Sequence, residues 1–372
     1  MLFRRAELAA ALATAAAALS AVVTVADGAA ARRDPRVPPA RAPYAVHFAA
    51  YQKPAPAAEP ADNASTPERQ ALGKRLFFDP QLSGTGRVSC ASCHDPSYSW
   101  TDRRARAVGA PGVVLARRTP TILNTAWAAA LMWDGRAESL EQQALGPIEA
   151  AGEMSMPLPQ MERRLNASAT YRAMFRRAYG ADTITAAAVG RALAAFQRGV
   201  VSTPAPFDRW VAGDDRAVSE QAKRGFLVFN GKGGCANCHG GWRFTDDSFH
   251  DVGVAADVAD PDSGRATIIP GVEALAFAFK TPTLRNVAGR APYMHDGSER
   301  TLEQVIELYD RGGRVRRPSV AAEVKPLGLT ADERAALVAF LRTLSSRDTV
   351  TVPGAATAAP ARPAARSHAR AR

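Results

Sequence analysis

The sequence predicts a mainly α-helical fold built from two similar units that pack against each other. Apolar residues recur at helical spacing over residues 184–199 and 218–229, whereas strand signals are short and scattered. A set of short motifs in the first half of the chain also recurs in the second half with the same internal spacing. Such a repeat indicates two copies of one structural unit.

Two helix starts carry clear signals. Thr66 precedes Pro67 and Glu68, the pattern of a side-chain cap followed by proline in the first helical turn. Thr330 and Glu333 have the spacing of a capping box, which predicts a helix from there to about residue 344.

The internal repeat keeps its register over several motifs. The first copy contains Thr-Pro-Thr at 119–121, Asn124, Trp-Asp-Gly at 133–135 and Leu-Glu-Gln at 140–142; the second contains Thr-Pro-Thr at 281–283, Asn286, His-Asp-Gly at 295–297 and Leu-Glu-Gln at 302–304. No gap interrupts either set, so we interpret the two halves as copies of one unit.

Each copy carries one Cys-x-x-Cys-His motif, and these motifs contain the only four cysteines of the chain. The motif residues are Cys90, Cys93 and His94 in the first copy and Cys235, Cys238 and His239 in the second. This spacing is the attachment signal for c-type haem: the thiols bond to the porphyrin and the histidine is the proximal iron ligand. A zinc site would not need a histidine after each pair, and disulfide frameworks are typical of much shorter chains. We therefore predict two covalently bound c-type haems.

The helices, the repeat and the two haem motifs together predict a mainly α fold with two cytochrome c-like haem domains packed against each other. We assign residues 66–210 to the first domain, which carries the first haem motif, and residues 211–347 to the second. The remaining residues form the two ends of the chain.

The ends of the chain predict export. Residues 1–31 have the features of a signal peptide, with Arg4 and Arg5 before a long uncharged stretch. Attachment of c-type haem outside the cytoplasm agrees with this, so we predict a periplasmic protein. A retained membrane anchor is the less favoured interpretation, because alanine dominates the stretch. Residues 32–65 are predicted to be a disordered Pro/Ala linker and residues 348–372 a disordered basic tail.

The formal net charge of +11 comes partly from these ends. A basic tail is usually just solvated, but it can also attract anionic lipid or an acidic redox partner. Nucleic acid is not an expected partner of an exported haem protein.

The reactivity of each iron depends on its sixth ligand. Tyr309 lies at the same distance after His295 as Pro147 lies after Trp133, so the two positions correspond in the repeat. Proline cannot bind iron, which predicts an open first haem that can bind hydrogen peroxide or oxygen. The second haem has two candidate sixth ligands, Tyr309 and Met294, and the alternative role of Tyr309 is that of a core aromatic.

The chain resembles the bacterial dihaem cytochrome c peroxidase and MauG family over about residues 66–345. The resemblance rests on residues 90–94, 131–136, 142–153, 235–239 and 292–297. It implies that the haem on His94 is the peroxidatic one. It also implies that Trp133 lies between the haems and carries electrons between them.

The resemblance further implies a distal pocket of Gln143, Pro147 and Glu153 on the first haem, with Glu153 as the acid–base residue. Tyr309 matches the tyrosine ligand of the MauG branch, where the peroxidase branch has methionine. The peroxidase branch also carries a distal histidine loop on the first haem, but the corresponding residues here, 107–113, contain no histidine. We therefore expect the first haem to react without prior reduction.

The family also holds a calcium ion between the haems, and here the resemblance fails. Arg118 and Arg290 stand at two of the expected ligand positions, and of the ligands compared only Pro292 remains. Calcium binding is therefore doubtful. We hypothesise that a guanidinium group takes over the charge of the ion beside the haem propionates.

Three functions agree with these residues. The favoured one is a peroxidase that reduces hydrogen peroxide with electrons from a small cytochrome or cupredoxin. The second is a MauG-like oxidase that modifies residues of a partner protein, and the third is a dihaem electron carrier. The carrier predicts two six-coordinate haems and no reaction with peroxide. The sequence leaves open a monomer or a homodimer.

Overall fold

The computed structural model describes residues 41–254 and 261–346. The predicted signal peptide (1–31) and basic tail (348–372) lie outside the described residues. Residues from Val46 onward form one compact unit that contains both Cys-x-x-Cys-His motifs. None of the helices in the described ranges is both long and apolar enough to cross a membrane.

The described residues are mainly helical, as predicted, with one small antiparallel sheet. The helices are α1 Ala42–Phe48, α2 Pro67–Phe78, α3 Leu140–Glu149, α4 Leu158–Ala167, α5 Ala169–Tyr179, α6 Ala186–Arg198, α7 Pro206–Val211, α8 Glu220–Asn230, α9 Leu302–Arg311 and α10 Ala331–Arg342. The sheet joins β1 Phe249–His250 to β2 Phe279–Lys280, with Phe249 opposite Lys280 and His250 opposite Phe279.

The predicted helix starts are confirmed. The Thr66 side chain accepts a hydrogen bond from the backbone N–H of Arg69, so it caps α2. Thr330 and Glu333 form the capping box of α10, which ends at Arg342, two residues before the predicted end at 344.

Each half is built on a pair of helices that cross at a glycine. In the first half α2 packs on α6, and in the second half α8 packs on α10. A Cβ atom at Gly73 would lie 1.9 Å from the carbonyl oxygen of Ala192, and one at Gly225 would lie 1.9 Å from that of Ala336. Only a residue without a side chain permits this approach of two backbones.

The repeat is also visible in unusual backbone conformations. Asn124 and Asn286 have φ of 60° and 57°, and Met132 and Met294 have φ of 70° and 67°. These left-handed conformations are uncommon outside glycine. Their recurrence at matched positions means that both copies keep the same turns.

The predicted disorder of residues 32–65 is wrong for the described part of that segment. Phe48, Tyr51 and Asn63 are buried, and the Tyr51 hydroxyl donates to the Asn230 side chain at 2.8 Å. The Asn63 side-chain amide donates to Glu141 on α3 at 2.7 Å and to the Arg191 carbonyl on α6 at 3.0 Å. The high Ala and Pro content predicted disorder, but a few aromatic and amide side chains attach the segment to both helix pairs.

Candidate haem-binding site

Both Cys-x-x-Cys-His motifs open into a single cavity of about 1200 Å³. Its lining includes all eleven residues predicted to attach the haems, bind iron, form the distal pocket or carry electrons between the haems: Cys90, Cys93, His94, Trp133, Gln143, Pro147, Glu153, Cys235, Cys238, His239 and Tyr309. The four cysteines form no disulfides, so their thiols are available for bonding to porphyrin. The volume exceeds that of ordinary small-ligand pockets, as two large cofactors require.

The two motif histidines are held in the same way. Nδ1 of His94 lies 3.2 Å from the carbonyl oxygen of Trp100, and Nδ1 of His239 lies 2.9 Å from that of Phe244. When Nδ1–H donates to a carbonyl, Nε2 is left with a free lone pair for a metal. Burial lowers the pKa of both imidazoles, which favours the neutral form that binds iron.

Sequence reasoning missed the two carbonyl groups that orient these histidines. Trp100 and Phe244 both have left-handed backbone conformations, with φ of 61° and 55°. This strain turns each carbonyl toward the ring nitrogen. The sequence shows only an aromatic residue shortly after each motif. The residue type alone does not reveal a left-handed backbone, so the orienting carbonyl groups could not be predicted.

The distal side of the first haem site is formed by helix α3. The Ser139 side chain caps this helix by accepting from the N–H of Gln142. Gln143 and Pro147 are one turn apart, so they share the face that lines the cavity. The Gln143 amide lies 3.4 Å from the Met132 sulfur, which holds the amide in place.

Glu153 follows α3 in a turn and is half-buried. Burial raises the pKa of its carboxyl group, while the charge of Arg136 partly opposes this effect. The histidine-free loop at 107–113 packs against this turn: the Ala110 N–H donates to the Glu153 carbonyl at 2.6 Å. A Cβ at Gly109 would lie 1.8 Å from the Gly152 carbonyl oxygen. The loop therefore supports the turn that positions Glu153.

The second haem site has helix α9 where the first has α3. Thr301 caps α9, and Tyr309 lies near its C-terminal end on the cavity wall. Burial raises the pKa of the Tyr309 phenol. Tyr309 lines the same cavity as Cys235 and Cys238 of the second motif. Met294, the competing ligand, also lines the cavity.

Trp133 is held by residues of both halves. Its indole N–H donates to the Arg118 carbonyl at 2.8 Å, and its own carbonyl accepts from the Lys280 N–H at 2.8 Å. The indole also makes an edge contact with His295, with ring centroids 6.4 Å apart. The side chain is 9% exposed. Trp133 is thus a fixed aromatic group in the wall shared by both motifs.

The cavity residues fit two c-type haems. Besides thiols and imidazoles, the wall provides buried cations for the porphyrin carboxylates. The Nε atoms of Arg118, Arg243 and Arg290 are buried and have no hydrogen-bond partner among the described residues. Buried N–H groups without partners are rare, so these groups indicate a missing acceptor.

Comparison with known proteins agrees with this geometry. Residues 67–216 match the family described as di-haem cytochrome c peroxidase, and residues 222–345 match the cytochrome c family. The chain is 50% identical to the methylamine utilization protein MauG of Methylorubrum extorquens over 308 residues, which cover 82% of this chain and 86% of that protein. The chain belongs to the dihaem cytochrome c peroxidase and MauG family.

Other family members are similar over most of their length. Cytochrome c551 peroxidase of Nitrosomonas europaea is 36% identical over 287 residues, 76% of this chain and 82% of that protein. A solved structure of a MauG-like protein associated with microbial copper homeostasis aligns with a TM-score of 0.74 and 33% identity, covering 82% of this chain and 96% of the other.

Membership in the family confirms three predictions. The protein is a haem oxidoreductase, it carries two c-type haems, and its fold consists of two cytochrome c-like domains.

Proposed function

We propose that this protein is an exported dihaem peroxidase that reduces hydrogen peroxide at the haem bound by His94. Oxidising equivalents would be shared, through Trp133, with a second haem bound by His239 and Tyr309. The observation that carries the proposal is the asymmetry of one matched position. Pro147 on α3 offers no ligand, while Tyr309 on α9 offers a phenol to the second site.

When bound, each haem supplies an iron that can bind peroxide or oxygen and exchange electrons. The chain supplies the proton transfer. The Glu153 carboxylate accepts a proton from one oxygen of hydrogen peroxide and delivers it to the other, so the O–O bond breaks as water leaves. The raised pKa of this half-buried carboxyl group suits a residue that both accepts and donates. Gln143 lines the same pocket, and its side-chain amide donates to the Met132 sulfur.

Trp133 is the proposed electron relay. Contacts with the Arg118 carbonyl and the Lys280 N–H fix its orientation relative to both halves. Full reduction of peroxide to water consumes two electrons and two protons. We propose that a small cytochrome or cupredoxin delivers the electrons.

Export to the periplasm is part of the proposal. It is supported by the signal-like residues 1–31 and by the two Cys-x-x-Cys-His motifs, because haem is attached to such motifs outside the cytoplasm.

The test is a peroxide titration of the purified diferric protein, followed by EPR and near-infrared absorption. We expect a high-spin ferric signal from the first haem to disappear and a charge-resonance band to appear. The Trp133→Phe variant should still lose the high-spin signal but form little of the band. Two unreactive low-spin haems would contradict the proposal and favour the electron carrier.

A MauG-like oxidase is the second candidate, favoured by the 50% identity to MauG of Methylorubrum extorquens. In that case the equivalents would be used to oxidise residues of a partner protein. Catalytic peroxide consumption with reduced cytochrome or cupredoxin as donor would support the peroxidase. A long-lived oxidised state that neither donor consumes would support the oxidase.

A further inference from the structure

Two buried arginines meet in the wall between the two halves. Arg118 and Arg290 are each only 6% exposed. The Arg118 guanidinium donates to the carbonyl oxygen of Arg290 and makes longer contacts, at 3.4 Å, with Thr101 Oγ1 and the Asp102 carbonyl. The Arg290 guanidinium donates to the carbonyl of Thr283.

No carboxylate among the described residues balances the charge of this pair. Within the described ranges, neither arginine forms a salt bridge. Asp102 acts on Arg118 at longer range, but its carboxylate accepts from Thr119 Oγ1 at 3.1 Å. Burial lowers the pKa of both arginines, and repulsion from Arg118 contributes to a pKa of about 9 for Arg290.

The unused donors of the pair identify the missing ligand. Within the part of the chain that the structure describes, Nε of Arg118 and Nε of Arg290 are buried without a hydrogen-bond partner, and both residues line the cavity. Burying a cation without a counter-charge is strongly unfavourable, so an anion with planar oxygen acceptors is expected there. The cavity receives two haems, and each haem carries two propionate carboxylates.

The same residues do not fit calcium. Calcium takes six to eight oxygen ligands. Here the Arg290 carbonyl, the Asp102 carbonyl and Thr101 Oγ1 already accept from the Arg118 guanidinium. A divalent ion at this place would also face the charge of Arg290. The arrangement therefore disagrees with the calcium site that the family resemblance implied.

We propose that Arg118 and Arg290 form a carboxylate-binding site for the haem propionates, which takes the place of a calcium ion between the two halves. The guanidinium of Arg118 makes the links between the halves that an ion would make, and the two guanidinium groups, whose residues line the cavity, provide donors for carboxylate oxygens. The haem environment is consequently independent of divalent cations.

The first experiment measures metal in the purified diferric holoprotein. We expect no stoichiometric calcium after dialysis, and we expect EGTA to leave the EPR spectrum and the thermal midpoint unchanged. Stoichiometric calcium, or a spectrum that EGTA alters and calcium restores, would overturn the proposal. This result does not depend on catalysis, so it is separate from the test of peroxide reduction.

The second experiment measures the haem reduction potentials of Arg118→Gln and Arg290→Gln. Loss of a cation beside the propionates should lower a potential, because the positive charge favours the more negative, reduced haem. Arg118→Lys should keep more of the wild-type potential than Arg118→Gln. Unchanged potentials in both glutamine variants would reject carboxylate binding.

Arg198→Gln is the matched control. Arg198 is 8% exposed but pairs with Glu141 at 2.7 Å and does not line the cavity. This variant should lose thermal stability without a shift in either potential. A shift as large as that of Arg118→Gln would mean that general destabilisation, and not propionate contact, moves the potentials.

A third experiment restores oxygen ligands with the double variant Arg118→Asn/Arg290→Thr. Calcium should raise its thermal midpoint and leave that of the wild type unchanged. A double variant that binds no calcium would overturn the inference that the two guanidinium groups exclude the ion, and the wild-type metal content remains decisive if this variant does not fold.

Discussion

The two halves share a scaffold and differ where side chains reach the cavity. Both use a glycine at the crossing of two helices, and both turn a carbonyl toward Nδ1 of the motif histidine. Yet Pro147 in the first half corresponds to Tyr309 in the second, and Trp133 corresponds to His295.

The comparison shows which positions a duplication can vary. Residues that set the backbone path, such as Gly73 and Gly225, are the same in both copies because no side chain fits there. Cavity positions carry no such constraint, so matched positions can carry proline in one copy and tyrosine in the other. The asymmetry therefore belongs to a few side chains and not to the fold.

The largest expected effect comes from removing that asymmetry with Pro147→Tyr. A phenol one turn after Gln143 should reach the first iron as Tyr309 is proposed to reach the second. We expect the high-spin EPR signal to become low-spin and the reaction with peroxide to be almost lost. Pro147→Ala is the control and should keep the high-spin signal. A tyrosine variant that still reacts like the wild type would show that position 147 does not face the iron.

The next effect tests the acid–base residue of the first half. Glu153→Gln should slow the reaction with peroxide by about 10²- to 10⁴-fold, as loss of a positioned acid–base group commonly does. Stopped-flow mixing with peroxide measures the rate. The control is Glu149→Gln, which changes an exposed carboxylate at the end of α3 and should have little effect.

The sign of the pH dependence follows from the raised pKa of Glu153. Only the carboxylate accepts a proton from peroxide, so the rate should fall as the pH falls through a pKa above the usual range for glutamate. The Glu153→Gln variant should lack this limb of the profile. A limb that persists in the variant would assign the titration to another group.

A fourth prediction sharpens the comparison of the scaffolds. Gly73→Ala and Gly225→Ala each place a Cβ 1.9 Å from a carbonyl oxygen of the partner helix. Overpacking of this kind typically costs about 1–3 kcal/mol of unfolding free energy, occasionally more. The two costs should be similar, which chemical denaturation of each holoprotein can measure. Gly146→Ala is the control, since a Cβ there meets nothing within 4 Å.

The smallest effect concerns the caps of the two corresponding helices. Ser139 caps α3 and Thr301 caps α9, each by accepting from a backbone N–H three residues later, at 3.1 and 3.2 Å. Replacing either by alanine should cost about 0.5–2 kcal/mol in unfolding free energy. Thermal unfolding of Ser139→Ala and Thr301→Ala should give similar losses. A much larger loss for one would mean that its helix also depends on haem ligation.

Features that depend on neighbours in the chain could be predicted from the sequence. The haem attachment motifs, the caps at Thr66 and Thr330, and the register of the repeat all follow from residue types at short, fixed spacing. The correspondence of Tyr309 in the second copy with Pro147 in the first followed from the same register. Glu153 and Trp133 needed the family resemblance as well, because nothing in their local sequence distinguishes a cavity residue from a core residue.

The ordered packing of residues 46–65 on the rest of the fold could not be predicted from the sequence in this way. Composition averages over a segment, whereas the packing of Phe48 and Tyr51 depends on surfaces formed by distant helices. A small number of good contacts was enough to order a segment that is rich in alanine and proline.

The sequence by itself predicted two attached haems and their attachment motifs, and it showed that proline stands at position 147, where the second copy of the repeat has Tyr309. Only the tertiary structure decided that one cavity contains both sites, that Trp133 is held from both halves, and that Arg118 and Arg290 meet with no anion beside them among the described residues. The physical reason is the range of the interactions. Covalent attachment and helix capping act over a few residues, whereas burial and electrostatic pairing depend on residues that only folding brings together.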